Sequence, residues 1–332
     1  MIINSKFRRI VFTIAAFAFA ALLLALLVRR VGDTRGLVGT IKSAFDKPWL
    51  LAAGVGLFSV SLSCGLMRWY VLLRALKLPV KFRDAVRWYA TGHFFNVLGP
   101  GATGGDLVKA AWIASKIPAG QRTSAVASIA AERLIGLMAM VTFIMGVTIF
   151  RRDFFDSHWL LEALRKFITL LFAGTILFFI LLTSVNWEKI AERIKLREGG
   201  LPARLLGVMV TAWRTLRLCL THPKAASAAF ALSLANHTTD VCVYFLLSRA
   251  LSMTFPFRDM FVASPIANMT ASIPITPGGA GMRENMLQKL LEFAHVPPKE
   301  STALALLMFA TIVFWAGVCG VLVLGLKEKR KD

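Results

Sequence analysis

Long apolar runs alternate with short basic segments along this chain. Six of the runs, 10–28, 49–67, 123–149, 167–184, 225–248 and 302–326, are close to the length a bilayer requires. A helix rises about 1.5 Å per residue, so about 20 apolar residues cross a hydrocarbon core of about 30 Å. The pattern predicts an all-α polytopic membrane protein with six full spans.

Two further apolar stretches are interrupted. One runs over 86–98, breaks at "GPGATGGD" (99–106) and resumes over 107–116. The other runs over 259–275, breaks within "PITPGGAGMRE" (274–284) and resumes over 285–293. Proline and glycine stop a helix, so each reads as helix, break, helix. Either is a re-entrant hairpin or a broken span. Non-helical backbone at membrane depth is tolerated only where protein covers it or water reaches it.

Basic residues set the sidedness. The larger share of the 39 lysines and arginines falls on one side when the N-terminus is placed inside and each hairpin returns to its own face. Arg68, Arg74, Lys77 and Lys81 belong to that inner set. Positive charge favours the cytoplasmic side, so N-in and C-in in a cell (inner) membrane is the expected topology. Each half then reads span, span, hairpin, span. The first half (1–150) begins inside and the second (167–326) begins outside, joined through a periplasmic loop. The two hairpins therefore enter from opposite faces, as in an inverted repeat. The polar connection 185–224 reads as one or two cytoplasmic amphipathic helices with a turn at 197–202.

Composition narrows the function class. Only 17% of residues are charged and 57% are hydrophobic, against about a quarter charged in a soluble domain. The formal charge of +21 would suit a nucleic-acid partner. Its placement in short loops between apolar runs instead fits topology and anionic headgroups. Membrane lipids, anionic or phosphate-bearing, are the expected partners, with a lipid-modifying enzyme as a further one. The N-terminal run lacks a cleavage site of small residues and reads as a retained span. Four cysteines have neither metal nor disulfide-framework spacing, and no cofactor is expected.

Candidate chemistry collects at the breaks and at charges inside spans. At the first break Asn96, Gly101, Gly104, Gly105, Asp106 and Lys109 form either an anion site at a helix start or a capped turn. "AERLIG" places Glu132 and Arg133 inside a span, where ionisable groups are costly and mark function. Adjacent helix residues point apart, so Asp106 is the expected partner for Arg133 and Arg283 for Glu132. At the second break Pro277, Gly278, Gly279 and Gly281 open the backbone before Arg283 and Glu284. Arg283 offers a planar fork for phosphate. His237 and Asp240, three apart on one helical face, suit a proton relay or a polar cavity. HExxH, GxSxG, CxxC and GxxxxGK[ST] are absent, so no catalytic set is assigned.

"GPGATGGDLVKA", "AERLIGL" and "PITPGGAGMRE", in this order, resemble the flippase-like membrane domain of the lysylphosphatidylglycerol synthases over about 10–326. Known bifunctional members pair that domain with a soluble aminoacyltransferase, and 332 residues predict no room for one here. The resemblance implies translocation of a lipid between leaflets, of the aminoacyl-phospholipid or polyprenyl-phosphate type. A membrane-embedded transferase or hydrolase acting on a lipid-linked phosphate is the alternative.

Overall fold

The computed structural model describes residues 18, 21–29, 31–98, 104–185, 189, 201–273 and 275–325. Regular structure among them is helical throughout. In chain order the helices are α1 (Thr34–Ser43), α2 (Pro48–Ala75), α3 (Phe82–Leu98), α4 (Gly104–Lys116), α5 (Arg122–Phe150), α6 (Trp159–Ser184), α7 (Leu201–Thr221), α8 (Pro223–Ala250), α9 (Phe257–Ala271), α10 (Met282–Phe293) and α11 (Pro298–Gly325). A single helical turn, Arg152–Phe155, precedes α6.

Among the described residues five helices are long and apolar enough to cross a membrane: Pro48–Ala75, Ala119–Phe150, Trp159–Ser184, Pro223–Ala250 and Pro298–Val323. They match the predicted runs from the second to the sixth. The first predicted run, 10–28, lies largely outside the described residues, although 21–29 are helical. The second helix extends to Ala75, beyond the predicted 67. Arg68 therefore sits within a helix and is buried, whereas its charge had placed it among the inner loop residues.

Local rules set the helix ends. Pro48, Pro223 and Pro298 open α2, α8 and α11, at the position where the missing N–H costs nothing. Lys77, Ser252 and His295 have φ of 52°, 61° and 60°. The next residue in each case, Leu78, Met253 or Val296, donates its N–H to a carbonyl five residues back. That is the Schellman closure, here built on side-chain-bearing residues in the left-handed region.

Contacts divide the chain into two compact units. Unit 1 comprises Met1–Leu62, Arg87–Lys109 and His237–Asp332, and unit 2 comprises Ser63–Val86 and Ala110–Asn236. In unit 2, α7 packs on α5 and α6. Leu72, Ala131, Ile135, Cys219 and Ala229 form a buried cluster there. Trp213 donates its indole N–H to the Leu182 carbonyl at 3.0 Å, so α7 is fixed to α6 by a polar tie as well as by its apolar face. The turn expected at 197–202 lies outside the described residues as far as 200, and Leu201–Pro202 already belong to α7. Leu170, Leu177, Phe178 and Leu181 of α6 are exposed, as lipid-facing side chains would be.

In unit 1, α9 packs on α10, and α10 on α11. Glycines permit close approach of helices, the packing mode expected where lipid removes the hydrophobic drive. A Cβ on Gly54 of α2 would lie 2.8 Å from Leu247 of α8, and one on Gly320 of α11 would lie 2.7 Å from the Phe94 ring of α3. Trp315 of α11 donates to the Val55 carbonyl at 2.7 Å.

Candidate functional site

The first break is framed by a crossing of two glycines. A Cβ on Gly105 would fall 1.8 Å from the Gly92 carbonyl oxygen and 2.7 Å from the Asn96 backbone nitrogen. Only hydrogen at that position lets α3 and α4 run this close. Asn96 Oδ1 accepts the Gly105 N–H at 3.0 Å, so α3 satisfies one N–H at the start of α4. The helix starts at Gly104, which puts Asp106 in its first turn rather than at the cap. Lys109 is 3% exposed. Its chain lies along Gly92 and its ammonium stands 5.2 Å from the centre of the Tyr89 ring, a cation–π distance. Gly101 lies outside the described residues.

The second break uses glycine differently. Gly278, Gly279 and Gly281 have φ of 58°, 70° and 84°, a left-handed series that side-chain-bearing residues disfavour. A Cβ on Gly279 would also meet that of Ala271 at 2.3 Å. The 3₁₀ turn Pro277–Gly279 rests on the end of α3: a Cβ on Gly278 would lie 3.4 Å from the Val97 Cα and 3.5 Å from the Asn96 carbonyl oxygen. The second break thus touches the residues that lead into the first. Thr276, in the same turn, is fully buried, and its hydroxyl finds no hydrogen-bond partner among the described residues.

Beyond the turn, Glu284 closes the start of α10. Its Oε2 accepts the Gly281 N–H at 2.6 Å, which is the reach-back half of a capping box. Its Oε1 accepts from Arg283 Nε at 2.9 Å, and Arg283 Nη2 also donates to it. Both side chains are buried. Arg283 therefore pairs with its own neighbour and not with Glu132. Asn285 donates to the Gly281 and Leu23 carbonyls at 2.7 and 3.2 Å.

Asp240 of α8 belongs to the same unit. Ser61 Oγ donates to Asp240 Oδ1 at 2.6 Å, and Asn268 Nδ2 donates to Oδ2 at 3.4 Å. The Tyr244 hydroxyl donates to Asn268 Oδ1 at 3.3 Å. Arg283 is close enough for its charge to act on Asp240 and on Tyr244. His237 stands three residues before Asp240 on α8 and is partly buried.

Glu132 of "AERLIG" joins a cluster within unit 2. Glu132, 2% exposed, accepts from Arg68 Nη2 at 3.0 Å. Arg68 Nη1 donates to Ser233 Oγ at 3.1 Å. Gly136, one turn after Glu132, makes room for this: a Cβ there would lie 2.9 Å from Arg68 Nη1. The motif's acid and glycine thus face one guanidinium. Arg133 points to the exposed side of α5. Next to the pair, Trp69 donates to Ser128 Oγ at 3.1 Å.

Sequence reasoning missed Ser61, Arg68, Tyr244, Asn268, Thr276 and Ser233. Tyr244 had a signal, being one of three tyrosines and lying one turn from Asp240. Asn268 and Ser61 are polar residues in apolar stretches, a pattern too common to single them out.

Comparisons with known proteins agree with this architecture. The family model for the lysylphosphatidylglycerol synthase TM region matches residues 13–320. A UPF0104 membrane protein of Methanothermobacter thermautotrophicus is 24% identical over 314 residues, covering 89% of this chain and 86% of its own. A second from that organism is 23% identical, covering 83% and 85%. A UPF0104 membrane protein of Pyrococcus horikoshii is 23% identical, covering 81% and 84%.

Proposed function

The chain belongs to the lysylphosphatidylglycerol synthase transmembrane-region family, and from that premise we propose that it moves a phosphate-bearing lipid between leaflets. The observation that carries this reading is the contact of Gly278 with Asn96 and Val97. It sets the second break against the end of α3, which leads into the first, in a unit that also buries Lys109 and Arg283. An ammonium and a guanidinium are the two side-chain chemistries that take phosphate oxygens, one as a point charge and one as a fork. The buried Thr276 hydroxyl adds a neutral donor at the second break.

The helix lengths support hairpins over spans. α9 has 15 residues and α10 has 12, which gives about 22 and 18 Å, less than the hydrocarbon thickness. A pair of half-helices meeting a second pair near the midplane is how carriers expose one site to two faces. On this reading the hairpins are re-entrant, the halves form an inverted repeat, and the chain lies N-in and C-in in the cell membrane with anionic lipids as partners. The acyl chains stay in the bilayer while the headgroup crosses along the polar residues.

The test is leaflet exchange in vesicles carrying the reconstituted protein and a fluorescent phosphatidylglycerol or polyprenyl phosphate in one leaflet, with an impermeant quencher added outside. The protein is expected to accelerate loss of the protected fraction. Lys109→Ala and Arg283→Lys are expected to slow it at least tenfold, with the lipid mass unchanged. Exchange no faster than in empty vesicles for both lipids overturns the proposal, and a changed lipid mass replaces it with an enzyme.

A further inference from the structure

We propose that Asp240 is a proton-binding carboxyl that takes up and gives back a proton, with the Arg283–Glu284 pair as its fixed electrostatic frame. The inference follows from what each carboxylate touches. Glu284 is held by the Arg283 guanidinium and the Gly281 N–H, which are donors without acceptor capacity. Both Glu284 oxygens face donors, and its carboxylate offsets the charge of Arg283. Asp240 is then a second carboxylate beside one guanidinium that is already matched.

Its own partners are of another kind. Ser61 donates to Oδ1 at 2.6 Å, and a hydroxyl both donates and accepts. The same bond survives protonation by reversing: the carboxylic acid then donates and Ser61 Oγ accepts. Asn268 donates to the other oxygen and serves both states. These two bonds therefore hold either form without rearrangement. Asp240 is partly buried.

The groups facing Asp240 come from four helices. α2 supplies Ser61, with Phe58 one turn before it against His93 of α3 at 6.4 Å between ring centres. α9 supplies Asn268, and α10 supplies Arg283. α8 itself adds His237 and Tyr244. Of these, His237 carries an imidazole that can itself exchange a proton, so it needs its own control. On the transporter reading, which this step deepens, a phosphate arriving at Arg283 adds negative charge beside Asp240. Anion and proton then enter together, and the proton gradient drives the lipid.

Carbodiimide labelling tests the proton directly, because dicyclohexylcarbodiimide modifies protonated carboxyls in apolar surroundings. The full chain in phosphatidylglycerol vesicles is treated across mildly acid to alkaline pH, and peptides are weighed. The Asp240 peptide is expected to be labelled, more so as pH falls, with Glu284 unlabelled throughout. Asp240→Asn should lose the label and His237→Gln should keep it. Ser61→Ala removes the donor to the carboxylate and should raise labelling at neutral pH severalfold, which serves if Asp240→Asn fails to fold. Absence of label on Asp240, label independent of pH, or label on Glu284 overturns the inference. The readout needs no lipid movement, so the transport proposal and this one can fail separately.

Discussion

Gly105 faces the carbonyl of Gly92 so closely that a methyl group would fall 1.8 Å from the oxygen. The obstacle is backbone on both sides, since the Asn96 nitrogen lies 2.7 Å away, and no rotamer relieves it. Gly105→Ala is therefore expected to cost about 2 kcal/mol or more through overpacking and to lower the thermal midpoint in detergent. Gly39 and Gly56 are the controls, helical positions with nothing within 4 Å. Alanine there removes backbone entropy from the unfolded chain and is expected to add up to about 1 kcal/mol. If Gly105→Ala matches these controls, the crossing is not as tight as described.

Arg68 and Glu132 are a buried pair, and such pairs are asymmetric in their energetics. Removing one partner strands a charge at a cost of about 3–5 kcal/mol, whereas replacing both with apolar residues is often close to neutral. Arg68→Met and Glu132→Leu should each destabilise strongly, and the double variant should recover most of the loss. The measurement is a double-mutant cycle by denaturation in mild detergent. Additive losses would show that the two side chains do not act as a pair.

Much of the fold was legible because membrane spans are written locally, as continuous apolar runs. Pro48, Pro223 and Pro298 even mark three helix starts. The breaks were legible for the same reason, glycine and proline being local signals. The pairing of charges was not. Glu132 meets Arg68 from α2, 64 positions earlier, and Asp240 meets Ser61, 179 positions earlier. Nothing in local pattern selects one distant partner over another. Arg283 and Glu284 show the reverse failure. Mid-helix neighbours point apart, but at a helix start Glu284 turns back to cap Gly281 and Arg283 folds over it.

His295 closes α10 in the left-handed region, with φ of 60° and Val296 donating to Leu291 at 2.9 Å. A side chain there carries a steric cost of about 1 kcal/mol that glycine avoids. His295→Gly is expected to raise stability by about that amount, less glycine's entropic cost in the unfolded chain. The check is the thermal midpoint beside that of His295→Ala, which keeps the Cβ and should gain nothing. Equal midpoints for the two variants would mean the strain is absent.

Cys219 gives a pH-dependent prediction. It is fully buried on α7, outside the five span-length helices, and burial pushes its thiol from 9.0 up to about 12. The thiolate is the reactive form, so Cys219 should resist maleimide at neutral pH while Cys64 and Cys242, which are partly buried, react sooner. The sign for stability follows from proton counting. Between the unfolded value near 9.0 and the folded value of about 12, the unfolded chain has lost the proton and the folded chain keeps it. Fewer protons on the unfolded side make stability fall as pH rises through that window, by linkage. Cys219→Ala removes this slope, although it also trims the cluster around Leu72 and Ile135 and so lowers stability at every pH. Peptide mass spectrometry after timed alkylation, and denaturation midpoints on either side of pH 9, read the two effects. Rapid labelling of Cys219 in the folded protein, or an unchanged slope in Cys219→Ala, would remove the thiol from the account of that packing.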